Sequence, residues 1–324
     1  WNIAQALSNV SRSPKIETIT TNDFLQHIFA SLEPLDLKFE LVEKSSIDND
    51  LNADDNKHNS LSDTQLIRVW HQQRLLGEIF TYSQNTKLPS LNVDGRLIKQ
   101  SVIGHQFGQY AISFPRQLTK STQQQKLIIA LSQALVSLAQ GGQFYFLPNK
   151  GQNTNTHAIA TQWLSHYIKQ QLNVPELSDR YKLIEQYQQQ MRVFRSKVAL
   201  TFYQYKGDFK DRELDIWLNK NQALSIDFEQ SFGQPWPNAT DAIYSYQAIA
   251  NEGINHYLPL WQTALTQLII AEIPNKISTK EIFNLLIVNE KQLTLDEQLE
   301  QLIGLPIDPH SLIRRFKHAG TAQE

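Results

Sequence analysis

Between Thr122 and Gln140 the apolar residues Leu127, Ile128, Leu131, Leu135 and Leu138 recur at steps of three and four, and the pair Gly141-Gly142 follows. That is the period of a helix with a broad buried face, stopped by glycine, so the spacing predicts a core helix here. Upstream, Phe24, Ile28 and Leu32 stand four apart behind Asn22-Asp23, which predicts a capped helix ended by Pro34. Leu37, Phe39 and Leu41 then alternate with Lys38, Glu40 and Val42, the pattern of a half-buried strand. Two extended runs between Leu66 and Tyr82, joined at Gln73-Arg74, read as a hairpin. The run QYAISFP predicts another strand, stopped by Pro115.

Other stretches read as connections or further helices. Residues 45–64 are polar, rich in Asp and Asn, and predict an exposed, mobile loop; the spacing of a calcium-binding loop, with its central Gly and closing Glu, is absent. Pro89 and Asp94-Gly95 make residues 85–108 a segment of turns, with His105 as a surface residue. Farther on, HAIATQWLSHYIKQQL, the repeat Val193, Val198, Phe202 and Tyr205, and residues 210–230 each have helical spacing, and the prolines of SFGQPWPN close the last of these.

Charge and composition then exclude several classes of function. The 324 residues carry 30 basic and 32 acidic side chains, a formal charge of -2 that argues against the basic face needed to neutralise nucleic-acid phosphates. With no cysteine there is no disulfide, no thiolate metal site and no cysteine nucleophile. No apolar run reaches the roughly 18 residues of a membrane span, and WNIAQALSNV lacks the features of a signal peptide, so the expectation is a soluble, cytoplasmic protein without a membrane partner. A start at Trp1 leads to the further expectation that an upstream portion has been removed.

In order and rough spacing, LIRVWHQQRLLGEIFTYSQNTKLP, QYAISFPRQL, the Leu127–Leu138 helix, HAIATQWLSHY and INHYLPLWQTALTQLI resemble the catalytic half of the zinc oligopeptidases of the thimet oligopeptidase, oligopeptidase A and dipeptidyl carboxypeptidase family. In that family the core helix reads close to FHEFGHALH. The HExxH pattern places two His on one helical face to hold zinc, with a Glu as general base on the metal-bound water. Aligned on Leu131 to Ala139, the two His positions fall on Ser132 and Val136 and the base on Gln133. With Thr161-Gln162 over the family's Ser-Gln, the third ligand, a Glu, falls on Ala158. A one-residue slip would bring His157 to that position, whereas His166 is out of phase on the helix.

The family's substrate-holding His and tyrosines, anchored on Trp261, fall on Gln247, Glu252, His256 and Pro259, with Tyr257 one place along. The resemblance thus implies a mainly α, zincin-like fold with a small β-sheet, residues 1–324 forming one catalytic-type domain whose upstream helical wall is absent. It implies no catalytic residues, no metal and loss of the zinc cofactor. The remaining use would be binding a peptide or protein partner without hydrolysis, with strand-edge pairing available because it needs backbone groups alone. Glu252, His256 and Tyr257 are the candidate ligand-binding residues, and they leave open an active hydrolase with a relocated, non-zinc site. A purely structural domain is the other alternative.

Overall fold

The computed structural model describes residues 18–42, 63–84, 93–102, 104–142, 153–175, 177–204, 213–237, 251–273 and 277–321. The chain groups into two compact units. One comprises residues 15–176 and 263–324, the other residues 1–14 and 177–262. The expected loop at 45–64 lies largely outside the described residues.

The larger unit is built on a five-stranded sheet. A short β1 (Ile19–Thr20) leads into α1 (Thr21–Leu32) and a 3-10 turn at Glu33–Leu35, followed by β2 (Leu37–Val42), β3 (Asp63–His71) and β4 (Arg74–Gln84). Next come β5 (Asp94–Lys99), β6 (Gly108–Pro115) and β7 (Gln117–Leu118). Thr20 is the cap of α1: its hydroxyl accepts from the Asp23 N–H, so the cap lies two residues before the expected Asn22, and Asn22 and Asp23 belong to the first turn. The sheet order is β2-β3-β4-β6-β5, and β1 pairs with β7 in a separate two-stranded ribbon. The expected β3–β4 hairpin forms, and it turns at Gln72-Gln73, one residue before the expected junction at Gln73-Arg74. β4 runs parallel to β6, and β5 lies antiparallel on the outer side of β6.

The expected fold, mainly α with a small sheet, is corrected by this topology. Most described residues are helical, yet a mixed sheet of this width with helices packed on it makes the fold mixed α/β. Within this sheet the strand that the sequence pattern does not predict is β5, which sits in the segment expected to be turns. Asp94-Gly95 is a turn signal in isolation, but Gly95 pairs with Ile112 inside the sheet, where a Cβ would lie 3.0 Å from the Tyr110 ring. A close approach, and no turn, is what asks for glycine there.

The core helix α2 (Ser121–Ala139) packs on β4, β5 and β6. Leu127, Ile128, Leu131, Leu135 and Leu138 are all essentially fully buried, as their spacing predicts. What lets the helix come this close is a pair of glycines opposite one another in the parallel β4–β6 ladder, Gly77 and Gly108. A Cβ on Gly77 would stand 2.6 Å from Leu138 Cδ2 and closer still to the Gly108 carbonyl; one on Gly108 would stand 2.9 Å from the same Leu138 carbon. After α2, α3 (Asn153–Gln171) packs against it and against α1.

In the smaller unit, α4 (Asp179–Tyr203) and α5 (Glu213–Phe232) enclose an aromatic cluster. Phe194 meets Phe228 and Trp236 edge-on with ring centroids 4.9 Å apart in each case, and Phe228 stacks on Phe232 at 4.4 Å. Val193, expected on the buried repeat, is instead exposed, because the buried face of α4 runs through Phe194, Val198 and Ala199. A 3-10 turn at Gly253–Tyr257 packs on α4 and leads into α6 (Leu258–Glu272), within which the chain passes from one unit to the other.

The chain ends with α7 (Thr279–Phe283), a π-helical turn at Asn284–Val288, α8 (Leu295–Ile303) and α9 (Pro309–Thr321). Arg315 on α9 ties this segment to α6. It donates to both carboxylate oxygens of Glu272 and to the carbonyls of Ile303 and Gly304.

Replacing Gly108 or Gly77 with alanine is expected to lower stability by about 2 kcal/mol or more, since Leu138 or the paired strand must shift. Urea unfolding of the two variants measures this, and an unchanged midpoint would contradict the close seating of α2.

Candidate functional site

The resemblance directs attention to the face where α2 meets α3. α2 is one continuous helix, so Ser132, Gln133 and Val136 occupy the relative positions the family motif demands. Their surroundings do not suit the motif. Ser132 and Val136 are 0% exposed, on the side of the helix that faces the core, and the Ser132 hydroxyl has no hydrogen-bond partner. Gln133, one position on, is half-buried, as are Ser137 a turn later and Ala158 on α3.

A polar contact joins the two helices here, and it does not involve the positions the alignment selects. Ser137 Oγ lies 2.9 Å from His157 Nε2. Thr161 and Ser165 follow His157 at four-residue steps on α3, both buried and both with hydroxyls lacking a partner. Burial pushes the His157 imidazole below its ordinary pKa, so the ring is neutral near pH 7. Ser137 was not selected from the sequence; the signal was its four-residue spacing from Gln133, since a helix presents i and i+4 together.

Zinc requires three or four nitrogen, oxygen or sulfur donors converging on one point. The aligned set offers a core-facing hydroxyl at Ser132, an amide at Gln133, and the methyl groups of Val136 and Ala158. The residues present do not fit the metal. Shifting the register by one on both helices gives Gln133, Ser137 and His157, which supplies a single good ligand. Among the described residues, no three His, Asp or Glu side chains converge as a metal site would need.

The second candidate set lies in the smaller unit. Glu252 and His256 are brought together: Nδ1 of the ring lies 2.6 Å from Glu252 Oε2, so Nδ1 carries a proton and donates it to the carboxylate. His256 Nε2 is buried and has no partner. Tyr257 is exposed, and Pro259 is half-buried in the first turn of α6. Gln247 lies outside the described residues. His166, on α3, has a buried Nε2 without a partner, and its pKa is lowered first by burial and then by Lys169.

No protein-family model and no curated protein matches this sequence. No helix among the described residues is long and apolar enough to cross a membrane.

Two outcomes follow from the α2–α3 geometry. Ser132→Ala removes a hydroxyl that is buried without a partner and is expected to raise stability by about 1 kcal/mol, which urea unfolding measures; a loss of similar size would mean the hydroxyl is bonded. The pKa of His157 is lower in the folded chain than in the unfolded one, so between those two values the unfolded state binds more protons. Its contribution is therefore fully present above about pH 6.5 and is lost as pH falls toward the depressed folded value, by at most about 1.4 kcal/mol per pH unit. Unfolding free energies from pH 7.5 down to about 5 should fall less steeply in His157→Gln than in the wild type. Burial also depresses His71 and His166, so some slope is expected to remain.

Proposed function

We propose that this chain is a non-hydrolytic relative of the zinc oligopeptidases whose activity is to hold an extended peptide, or an extended segment of a protein partner, along the β5 edge of the sheet. The observation that carries the reading is the register of α2: the positions the motif needs for metal ligands face the core as Ser132 and Val136. Without a metal-bound water and a general base, this face has no route to peptide hydrolysis of the family type.

The binding half of the reading rests on β5. Among the described residues it pairs on one side alone, with β6, and Leu97 and Ile98 are close to half exposed. The ladder shifts register between Leu97 and Lys99, a bulge that turns the strand at Ile98. Backbone N–H and C=O groups at such an edge can take another strand, and side chains at alternate positions add selectivity. A protein that keeps this edge after losing its metal ligands keeps binding and loses cleavage.

The test uses a labelled, extended peptide pool of mixed sequence. The expected result is intact peptide after prolonged incubation with added zinc, together with slowed amide exchange over residues 94–99 when peptide is present. Leu97→Asp with Ile98→Asp is expected to weaken binding about tenfold, through lost apolar contact at the edge. Cleavage abolished by a chelator contradicts the reading. The Glu252–His256 contact supports a second reading, a hydrolase with relocated chemistry, because a carboxylate orienting a ring with a free Nε2 is the arrangement of a general base. That reading requires cleavage that survives the chelator and disappears in His256→Ala.

A further inference from the structure

β2 forms the other margin of the five-stranded sheet, and among the described residues it pairs on one side alone, with β3. Edges that resist pairing are short, bulged, marked by proline or carry charges that repel an incoming strand. β2 is six residues long, has no proline and keeps an unbroken register against β3. Its two charges, Lys38 and Glu40, are of opposite sign. The side chains divide by face. Leu37 and Phe39 turn toward α1, where the Phe39 ring stacks on Phe29 with centroids 4.1 Å apart. Lys38 and Glu40 are exposed on the other face, as the two-residue period requires. Leu41, in phase with Phe39, is 48% exposed. Beside the strand, a cavity of about 900 Å³ opens between α1 and β2, with Gln26, Ala30 and Glu33 on the helix side and Phe39 and Leu41 on the strand side.

The polar side chains on that other face form a row across the sheet. In register, Gln109 of β6 stands beside Glu78 of β4, Glu78 beside Arg68 of β3, and Arg68 beside Glu40 of β2. Gln109 Nε2 donates to Glu78 Oε2 at 2.9 Å, and Arg68 Nε lies 3.4 Å from Glu78 Oε1. Trp70 holds Glu40 in place, its Nε1–H donating to Oε2 at 3.1 Å. The signs alternate from Glu78 through Arg68 to Glu40, and the row then ends in a carboxylate on an open edge. One more strand in register brings one more side chain into the row, and a cation there continues the alternation.

We propose that the strand completing this edge is β2 of a second copy of the chain, antiparallel to the first, with the two-fold axis at Phe39. In that register position 39 faces itself, 38 faces 40 and 37 faces 41. Lys38 of each copy lies opposite Glu40 of the other, which gives two opposite-charge pairs and extends the row that begins at Glu78 in both copies. On the helix-covered face Leu37 and Leu41 meet on either side of the paired Phe39 rings. Leu41, the exposed apolar side chain of the edge, thereby enters the mouth of the other copy's cavity, where the small side chain of Ala30 leaves it room. Charge selects this register. The neighbouring two-fold registers, centred on Lys38 or on Glu40, set two ammonium groups or two carboxylates face to face. The β5 edge lies at the opposite margin of the sheet and stays open in such a dimer, so pairing here and peptide binding there are independent.

The test is sedimentation equilibrium of the full chain over a range of concentrations, with amide exchange measured at each. One strand pair and the side chains beside it make a small interface, so the expected result is a reversible monomer–dimer equilibrium in the micromolar range. Exchange over residues 37–42 is expected to slow as the dimer forms, while exchange over residues 94–99 stays unchanged. Lys38→Glu and Glu40→Lys each set like charges opposite one another twice, and each is expected to weaken the dimer about tenfold or more. Mixed together, the two variants place a carboxylate opposite an ammonium at both positions, so their heterodimer is expected to recover most of the wild-type affinity. A wild-type chain that stays monomeric at millimolar concentration overturns the proposal, as does a dimer that leaves exchange over residues 37–42 unchanged. A mixture that associates no more tightly than either variant alone overturns the register about Phe39. Exchange in the wild type reads the edge directly, so the pairing is tested whether or not either variant folds.

Discussion

The whole larger unit depends on how closely α2 lies on the sheet. Leu138 rests where a Cβ on Gly77 or Gly108 would stand, and the two glycines face each other across the parallel β4–β6 pair. This contact fixes both the height and the rotation of the helix. Rotation decides that Ser132 and Val136 point into the core and that Ser137 meets His157 on α3. The end of the helix then places Gln140 against the Leu286 carbonyl, so the π-helical turn at Asn284–Val288 takes its position from the same seat.

A frame of this kind separates packing from chemistry. Burying Leu127, Ile128, Leu131, Leu135 and Leu138 stabilises the helix wherever those residues occur, at roughly 1.5–3 kcal/mol for each fully buried side chain. Metal ligation needs particular atoms at two or three positions and contributes nothing to the fold if no metal is held. The frame can therefore persist while ligand positions become a hydroxyl, an amide or a methyl group, and the proposed reading of the chain as a binding protein rests on that asymmetry. The pairs Ser137–His157 and Glu252–His256 carry the remaining polar geometry, one between two helices and one on a single turn.

Local patterns revealed local structure well. The α2 period, the β3–β4 hairpin and the β6 run before Pro115 all depend on neighbours within a turn or a hairpin, and these elements appear within about a residue of where the sequence places them. What escaped depends on distant partners. β5 is hidden in the sequence because Gly95 looks like a turn residue until Tyr110 is seen beside it. That one strand turns a small sheet in a mainly α fold into a mixed α/β architecture.

The central claim is that the α2–α3 face holds no catalytic metal because its side chains cannot bind one. Elemental analysis of protein purified without chelator and dialysed against micromolar zinc tests this most directly. The account predicts near-zero zinc per chain. One tightly held zinc per chain, retained through gel filtration, would contradict it and would require ligands that the alignment on Ser132, Val136 and Ala158 does not contain.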